Sequence, residues 1–344
     1  MKRNKQWVHS KLSLLPVFTQ GEMYTLKRLL PFRPARMTRS DGGWGHLGYC
    51  WLLLVLLNGC DNKSSNEPKD SEDFGTIYIS VDESFKPIID SQIQVYEASY
   101  PQTKIIAHYK PEAACLRDFG VDSIRMIIAT RGYTNNEEQF MLDSMKVLPK
   151  KMVMAYDAVA IIVNPLSADS LFTMQEIKDL LTGKLNKDLL AVFDGLSATS
   201  TVSFIIDSVL RGDSLSSKVV AAETSEGVVN FVAKTRNAVG FVGVSWVGNK
   251  EDSTQLSFLE KVTLAHLEST NKPGAFVQPV QANIYFRRYP MVRNLVYVLK
   301  EKHNGLGNAF ANFLTNQRGQ LIFKRAYLMP ALINFTFRHA TLSE

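Results

Sequence analysis

Cysteine is scarce in this sequence and forms none of the usual metal-binding or redox patterns. Three cysteines occur in 344 residues, Cys50, Cys60 and Cys115, and no two of them are spaced as CxxC. Only Cys115 lies in the region that we predict to fold, which excludes an intrachain disulfide there. The four histidines that follow residue 60 are scattered. A structural zinc site is therefore not expected, because such a site needs clustered Cys and His ligands.

The sequence also lacks the common signatures of catalysis. It contains no GxxxxGK[ST] phosphate loop, no GxSxG nucleophile turn and no HExxH zinc helix. Glu112 and Asp157 could be paired as acid and base, but Asp157 lies within an apolar run and is interpreted as a structural carboxylate. We therefore expect a protein that is not an enzyme, with no catalytic residues, no cofactor and no metal.

Basic residues are in excess only at the start of the chain. Residues 1–59 carry nine Lys and Arg against two Asp and Glu, a net charge of +7. Residues 60–344 carry 30 against 31, a net charge of −1. A basic domain would suggest nucleic acid as a partner. The near-neutral balance after residue 59 argues against that class of function.

A short apolar run near the start of the chain is typical of a secretion signal. Residues 49–57 (YCWLLLVLL) form nine consecutive apolar positions, fewer than the roughly 20 that a membrane span needs but enough for a signal-peptide core. The run ends in Leu57-Asn58-Gly59-Cys60, which resembles a bacterial lipobox, although Asn58 departs from the usual small or apolar residue. The resemblance implies that Cys60 is lipidated after cleavage of the signal.

These features divide the first 73 residues into a leader and a tether. We expect residues 1–59 to be the leader, and a start at Met37 would leave a signal of ordinary length. A short buried core segment is the alternative interpretation of the apolar run. Residues 60–73 are polar and charged and predict a flexible, lipid-anchored tether. The expected location is the periplasmic face of a membrane, held there by the lipid.

After the tether, predicted strands and helices alternate along the chain. The length suggests about two domains. Such alternation indicates an α/β architecture with mainly parallel sheets that are covered on both faces. Strands are predicted over 76–81, 104–109, 124–130, 152–164, 189–193, 218–223 and 237–246, and helices over 82–100, 134–145, 173–183, 200–210, 225–234 and 306–325.

Three predicted strand-to-helix turns are rich in hydroxyl-bearing and small residues: Asp82–Pro87, Ala129–Thr134 and Asp194–Thr201. Ligands of open α/β sheets bind beyond the carboxyl ends of the strands, where backbone N–H groups and hydroxyls can receive an anion. Arg131 could add a forked, charge-assisted pair of hydrogen bonds. The alternative for each turn is ordinary helix capping.

These turns, with three later segments, give the chain a resemblance to a known family. Residues 74–331 resemble the phosphate-binding protein of the phosphate ABC transporter, in the lipoprotein form found in Bacteroidetes-type bacteria. The other segments are FTMQEIKDLLTGKL (172–185), NAVGFVGVSW (237–246) with Tyr289-Pro290, and FANFLTNQRGQLIFKRAYLMP (310–330). The resemblance implies a type II periplasmic binding protein fold, in which two α/β lobes are joined by a hinge and hold the ligand in the cleft between them.

The resemblance assigns candidate ligand-binding residues to the three turns. Ser84 and Phe85 match the family's TFP turn, Thr130 lies in the turn matching its GAS loop, and Ser197, Thr199, Ser200 and Thr201 match its DGSGT turn. The sequence departs from the family where Glu112 stands in a replaced loop and where Arg131 replaces an Asp. We predict Arg131 as the charged contact to the anion, and Glu112, or else Asp194, as the carboxylate that accepts a phosphate proton.

The resulting expectation is a solute-binding lipoprotein that captures inorganic phosphate for an ABC-type uptake system, with the transporter permease as its partner. The alternatives are a protein that binds another oxyanion, such as sulfate or molybdate, and a sensor or assembly lipoprotein that kept the fold without transport. We expect lobe 1 to comprise residues 74–164 and 249–344, and lobe 2 residues 165–248, with crossovers near 164–165 and 246–248.

Overall fold

The computed structural model describes residues 70–146, 148–195, 199–248, 253–301 and 303–332. These residues lie in the compact unit Asn66–Glu344. The predicted leader (1–59), the lipidation site Cys60 and most of the predicted tether lie outside the described residues. None of the helices in the ranges just given is long and apolar enough to cross a membrane.

Strands and helices alternate along the described chain, as the sequence predicts. The strands are β1 (Phe74–Asp82), β2 (Gln102–Lys110), β3 (Ile124–Ala129), β4 (Lys150–Val163), β5 (Leu171–Phe172), β6 (Leu190–Phe193), β7 (Val220–Ala221), β8 (Ala238–Gly243), β9 (Thr263–Leu264), β10 (His266–Ser269), β11 (Lys272–Val277), β12 (Val292–Leu299) and β13 (Met329–Pro330). The helices are α1 (Lys86–Ser99), α2 (Glu112–Arg117), α3 (Asn135–Met145), α4 (Met174–Thr182), α5 (Ser200–Phe204), α6 (Ser225–Lys234), α7 (Ser253–Leu259), α8 (Gln281–Tyr285), α9 (Leu306–Thr315) and α10 (Gln317–Arg325).

One ten-stranded mixed sheet runs through both lobes. Its strand order is β2-β1-β3-β12-β4-β8-β6-β7, and β9 and β13 also pair with β4. The 14-residue strand β4 is shared by the lobes: it pairs with β12 as far as Ala158, and from Val159 it pairs with β8. A second sheet contains β11, β10 and β5. The fold is therefore two α/β lobes that meet along β4, which confirms the predicted fold class.

The lobe boundary differs from the sequence-based expectation. Strand β9, which was assigned to lobe 1, pairs with Ile162 and Val163 in the lobe 2 half of β4. Phe258 and Val262 pack into an apolar cluster with Val228 of lobe 2. The chain contacts lobe 1 again at α8, where the Gln281 side-chain amide donates to the carbonyls of Lys324 and Leu328, and it joins the lobe 1 half of the sheet as β12. This segment belongs to lobe 2 because its apolar face is buried there. The alternation of strands and helices in the sequence does not reveal that packing.

Local capping signals are confirmed where they were predicted. Thr173 and Glu176 form a reciprocal capping box at the start of α4, and Gly183 ends that helix with a positive φ of 75°. The predicted C-terminal helix is instead two helices. Asn316 interrupts it, and its side chain accepts hydrogen bonds from the N–H groups of Arg318 and Gly319 at the start of α10. Asn favours such a cap over a helix interior.

The end of the predicted tether is part of the folded unit. Asp70 is buried and accepts hydrogen bonds from Arg125 Nη2 at 3.0 Å and from the N–H of Leu306, at the start of α9, at 2.8 Å. Residues 70–73 therefore differ from the flexible tether predicted for 60–73. A buried carboxylate is retained here because it has a cationic partner and a backbone N–H donor.

Helix α6 packs closely on the lobe 2 sheet at Gly240 of β8. A Cβ at this position would lie 2.8 Å from side-chain atoms of Ile162, Val228 and Val232. We predict that Gly240→Ala lowers the free energy of unfolding by about 1–3 kcal/mol through overpacking. Gly120→Ala is the control, because nothing lies within 4 Å of its Cβ position. Urea unfolding of both variants measures the difference, and equal stability would show that the α6 contact is not tight.

Candidate functional site

Two of the three predicted turns meet between the lobes. The turn after β1 brings Ser84 to Ser200, the first residue of α5, and their hydroxyl oxygens share a hydrogen bond at 3.1 Å. The carbonyl of Ser84 also accepts hydrogen bonds from Trp246 Nε1 at 2.8 Å and from the Ser245 hydroxyl at 3.2 Å. Because Ser84 belongs to lobe 1 and its partners follow lobe 2 strands, these contacts bridge the cleft.

A buried arginine that sequence reasoning missed lies at this bridge. Arg293 of β12 donates from Nε to Asp157 Oδ2 at 2.8 Å, and from Nη1 to the hydroxyls of Ser200 at 3.0 Å and Thr201 at 3.3 Å. Its side chain is 2% exposed. Its guanidinium lies 5.1 Å from the ring centre of Phe85. Nη2 has no hydrogen-bond partner among the described residues, so one buried charged donor is available to a ligand.

Buried carboxylates surround Arg293. Loss of hydration on burial raises the pKa of Asp82 to about 7, although Arg293 and the Ser200 hydroxyl oppose the shift. Burial also raises the pKa of Asp157, in spite of its ion pair with Arg293, and that of Asp194, which accepts a hydrogen bond from Ser225. Around neutral pH, therefore, Asp82 can either hold or accept a proton.

The geometry of Asp82 leaves part of its carboxylate free for a ligand. Oδ1 accepts a hydrogen bond from the Ser84 N–H at 3.2 Å. Oδ2 has no partner with hydrogen-bond geometry among the described residues, although Ser200 is near enough to lower the Asp82 pKa. A group that can be both donor and acceptor thus lies near enough to Arg293 for the guanidinium charge to lower its pKa.

The remaining predicted turn, Ala129–Thr134, lies at the mouth of the cleft, away from the hydroxyls of Ser84 and Ser200. Thr130 donates to Glu112 Oε1 through its N–H, at 2.8 Å, and through its hydroxyl. Arg131, which we predicted as the charged contact, is half-exposed and pairs with Glu137 Oε2 at 3.1 Å. The charge in the buried cluster therefore comes from Arg293 and not from Arg131. Arg131 and Glu137 are close in sequence and pair at a solvent-exposed position. Such a pair contributes too little free energy to offset the desolvation cost of burying Arg131.

The remaining predicted residues divide into three groups. Ser200 and Thr201 are fully buried and contact Arg293. Thr199 accepts a hydrogen bond from the Val202 N–H and caps α5, the ordinary capping role that was its alternative. Ser197 lies outside the described residues.

A cavity of about 670 Å³ adjoins the buried cluster. Lobe 1 lines it with Glu112, Thr130 and Arg131, and Arg293 contributes to it from β12. Lobe 2 lines it with residues of α5 and of the π-helical segment Ile205–Leu210, which continues α5. Thr130 and Arg131 of the Ala129–Thr134 turn and the buried Arg293 thus line the same cleft. The buried cluster offers the hydroxyls of Ser200 and Thr201, the cation Arg293 and a carboxyl, Asp82, whose pKa is about 7, a combination that suits an oxyanion.

A different cluster has the spacing of a metal site. Ligand atoms of Asp70, Glu301 and His303 lie within 4.8 Å of one another. Arg125, however, already donates to Asp70 at 3.0 Å and to Glu301 at 2.6 Å. A metal ion would have to displace this guanidinium, and we assign the cluster a structural role.

A sequence signal for the buried pair did exist. Asp157 and Arg293 each interrupt an apolar strand run, with opposite charges. A buried charge requires a partner, and strands β4 and β12 place these two residues directly opposite each other. The sequence does not show which strands pair, so the two residues could not be joined before the sheet order was known.

Comparison with known proteins agrees with the fold. Residues 66–318 match a family model for the PBP superfamily domain. A candidate phosphate ABC transporter substrate-binding protein with bound phosphate from Clostridium perfringens superposes with a TM-score of 0.62 and 19% identity, over 75% of this chain and all of that one. An ABC-type phosphate transport receptor from Vibrio cholerae gives 0.55 and 15%, over 74% and 99%. No match was found among curated proteins.

The raised pKa of Asp82 has a cost in stability that a mutation can reveal. Folding favours the protonated acid, so from about pH 4 to 7 the folded state binds more protons than the unfolded state and the contribution of Asp82 falls as pH rises. We predict that Asp82→Asn stabilises the protein at pH 8 by up to about 4 kcal/mol relative to its effect at pH 4. Urea unfolding at both pH values checks this. Asp188→Asn at an exposed position is the control, and an effect of Asp82→Asn that is equal at the two pH values would contradict the prediction.

Proposed function

The chain belongs to the PBP superfamily, and on that basis we propose that it is an extracytoplasmic solute-binding lipoprotein that captures inorganic phosphate for an ABC-type uptake system. The observation that carries the proposal is Arg293, which is buried where the lobes meet, touches the hydroxyls of Ser200 and Thr201, and has one N–H without a partner among the described residues. Another oxyanion, such as sulfate or molybdate, is the alternative ligand.

Phosphate would bind by becoming the common partner of groups from both lobes. The Ser84 and Ser200 hydroxyls now bond each other across the cleft, and an anion inserted between them would accept from both. Arg293 would supply the charge-assisted donor. Opening and closing of the lobes would then depend on the ligand, as in other hinged binding proteins. The cluster binds the ion and leaves it unchanged, so we propose no catalysis.

Asp82 is the proposed source of selectivity for phosphate over sulfate. Phosphate keeps a proton at neutral pH, which an ionised Asp82 can accept, whereas sulfate offers only negative charge. A mismatch of this kind discriminates strongly. Asp82 takes the place that we expected for Glu112, because Oε1 of Glu112 is already occupied by Thr130. Asp194 also has one oxygen without a partner among the described residues, but we favour Asp82 because it adjoins Ser84 and Ser200, which bridge the lobes.

Location and partner follow from the start of the chain and from the family. We propose that the leader directs export and that Cys60 carries the lipid, so that the domain works on the periplasmic face of a membrane. The permease of an ABC transporter is the proposed partner, since the solved proteins from C. perfringens and V. cholerae carry the names of ABC-type phosphate systems.

The binding proposal is tested by exchanging each of two arginines. Arg293→Gln should weaken phosphate binding by about 10- to 100-fold, since a hydrogen bond from a charged group contributes roughly 1.5–3 kcal/mol. Arg131→Gln, the matched control at the cleft mouth, should change affinity less than about twofold. Calorimetry on the purified full-length chain measures both.

A folding defect must be separated from a binding defect in this experiment. Arg293→Gln leaves Asp157 buried without its partner, which is itself destabilising. The double variant Arg293→Gln, Asp157→Asn removes both charges and should fold while still binding weakly. Wild-type affinity in a folded Arg293 variant, or a larger loss from Arg131→Gln, would place the phosphate elsewhere.

The lipid anchor is tested at Cys60. We predict that Cys60→Ala abolishes incorporation of a tagged palmitate and leaves the protein uncleaved or released from the membrane. Each buried CH₂ of an acyl chain contributes about 0.8 kcal/mol, so several chains anchor a protein stably. Cys50→Ala and Cys115→Ala are controls that should label like the wild type. Equal labelling of Cys60→Ala and the wild type would refute the anchor.

A further inference from the structure

The cleft stays roomy even though the lobes are already in contact at one end. The hydroxyls of Ser84 and Ser200, together with the bonds from Trp246 and Ser245 to the Ser84 carbonyl, connect the lobes beside Arg293. With these contacts in place, a cavity of about 670 Å³ remains between α2 and the β3–α3 turn on one side and α5 with its continuation on the other. The cavity is thus a feature of lobes that are bridged, and Arg293 lies at its inner end.

This volume is too large for an inorganic anion alone. Pockets of about 300–1,000 Å³ enclose organic ligands of drug size, whereas phosphate has only five non-hydrogen atoms. The buried cluster around Arg293 and Ser200 is sufficient to hold such an ion. The rest of the cavity, which extends from Arg293 to Arg117 and Asp207, would then contain only water.

The walls of the cavity indicate what kind of organic group would fit. Most of the lining side chains are charged or carry a hydroxyl or amide, among them Arg117, Ser203, Asp207, Ser208 and Asn294. Such walls suit a ligand with many hydroxyl groups, because each hydroxyl can donate to a carboxylate and accept from a guanidinium or amide. An apolar ligand would leave these groups without partners.

Aromatic and aliphatic side chains supply the remaining contacts. Phe204 on lobe 2, and Leu116 and Tyr133 on lobe 1, line the same cavity. They could pack against the C–H surface of a carbon skeleton and bury it, while the polar walls bind its hydroxyls. The cavity therefore combines an oxyanion end with a polar, partly apolar outer part.

From this juxtaposition we propose that the site also takes phosphomonoesters of small polyhydroxylated carbon skeletons, and prefers them to the inorganic ion. The proposal rests on the proposed function, since the phosphoryl group is anchored by Arg293, Ser200 and Thr201 as for phosphate itself. The ester oxygen points into the cavity, and the carbon skeleton lies between Phe204 and Leu116, with its hydroxyls towards Asp207 and Asn294. Binding involves no covalent step.

The test compares ligands that share the phosphoryl group and differ in what it carries. The full-length chain is titrated by calorimetry with inorganic phosphate, glycerol 3-phosphate, glucose 6-phosphate and glucose. We expect at least one of the two esters to bind at least tenfold more tightly than inorganic phosphate, and glucose to bind at least 100-fold more weakly than its phosphate ester. The variant Ser208→Trp fills the outer cavity from an exposed position. It should remove the advantage of the ester and leave the affinity for inorganic phosphate within twofold of wild type.

The controls separate failure of this inference from failure of the proposed function. Ser91→Trp, at an exposed serine of α1 that does not line the cavity, should change neither affinity. If inorganic phosphate binds at least as tightly as both esters, or if Ser208→Trp keeps the ester advantage, the inference is overturned and phosphate capture stands. If neither the ion nor the esters bind to the folded wild-type protein, the proposed function fails and the inference fails with it.

Discussion

The ion pair between Arg293 and Asp157 is the interaction on which the geometry of the cleft depends. The two residues lie opposite each other on β12 and β4, one position before β4 leaves its pairing with β12. Both side chains are almost fully buried. Burial removes the hydration of each charge, and the attraction between the two charges must offset that loss. The pair holds the guanidinium so that Nη1 donates to the hydroxyls of Ser200 and Thr201 in α5. It also explains Gly243 in β8, where a Cβ would lie 3.0 Å from Arg293 Nη2.

One guanidinium among three buried carboxylates is an unusual setting for an anion. Burial raises the pKa values of Asp157 and Asp194. The physical resolution lies in the protonation of Asp82, whose pKa burial raises to about 7, so that this carboxyl can be neutral beside an anion. Asp157 is committed to Arg293, and Asp194 to Ser225. Asp82, which titrates near pH 7, is left to respond to the charge of the ligand.

The buried cluster partly explains the two positions, Arg131 and Glu112, at which the sequence departs from the phosphate-binding family. Arg131 stands where the family has an Asp, and it pairs with Glu137 at the cleft mouth. A carboxylate is nevertheless present beside the hydroxyls, because the first turn contributes Asp82. Similarly, Glu112 in the replaced loop orients the Thr130 turn by accepting two hydrogen bonds from it. The outer cleft is left with charged, hydrophilic walls, and these carry the proposed preference for organic phosphates.

Local sequence patterns were enough to predict the longer elements of the first two thirds of the chain and the hydroxyl-rich turns. Periodicity located strands β1–β4 and β6–β8 and most of the longer helices, since burial of one face repeats every second residue in strands and every third or fourth in helices. It did not locate the short elements or β12, the strand that carries Arg293. Capping residues placed the start of α4, and the hydroxyl-rich turns identified Ser84, Ser200 and Thr201 as neighbours of the site. These features are local: each depends on residues that are close together in the chain.

The pairing of distant charges could be seen only in the folded protein. Arg293 reaches Asp157 and Ser200 across separations of 136 and 93 residues, and no local pattern encodes such a pairing. The same holds for the lobe of residues 253–264, which depends on the pairing of β9 with β4, and for the exposure of Arg131, which depends on where its turn lies in the cleft. Burial and sheet order are properties of the assembled chain, and they determine both the pKa of a carboxylate and whether an arginine faces water or a ligand.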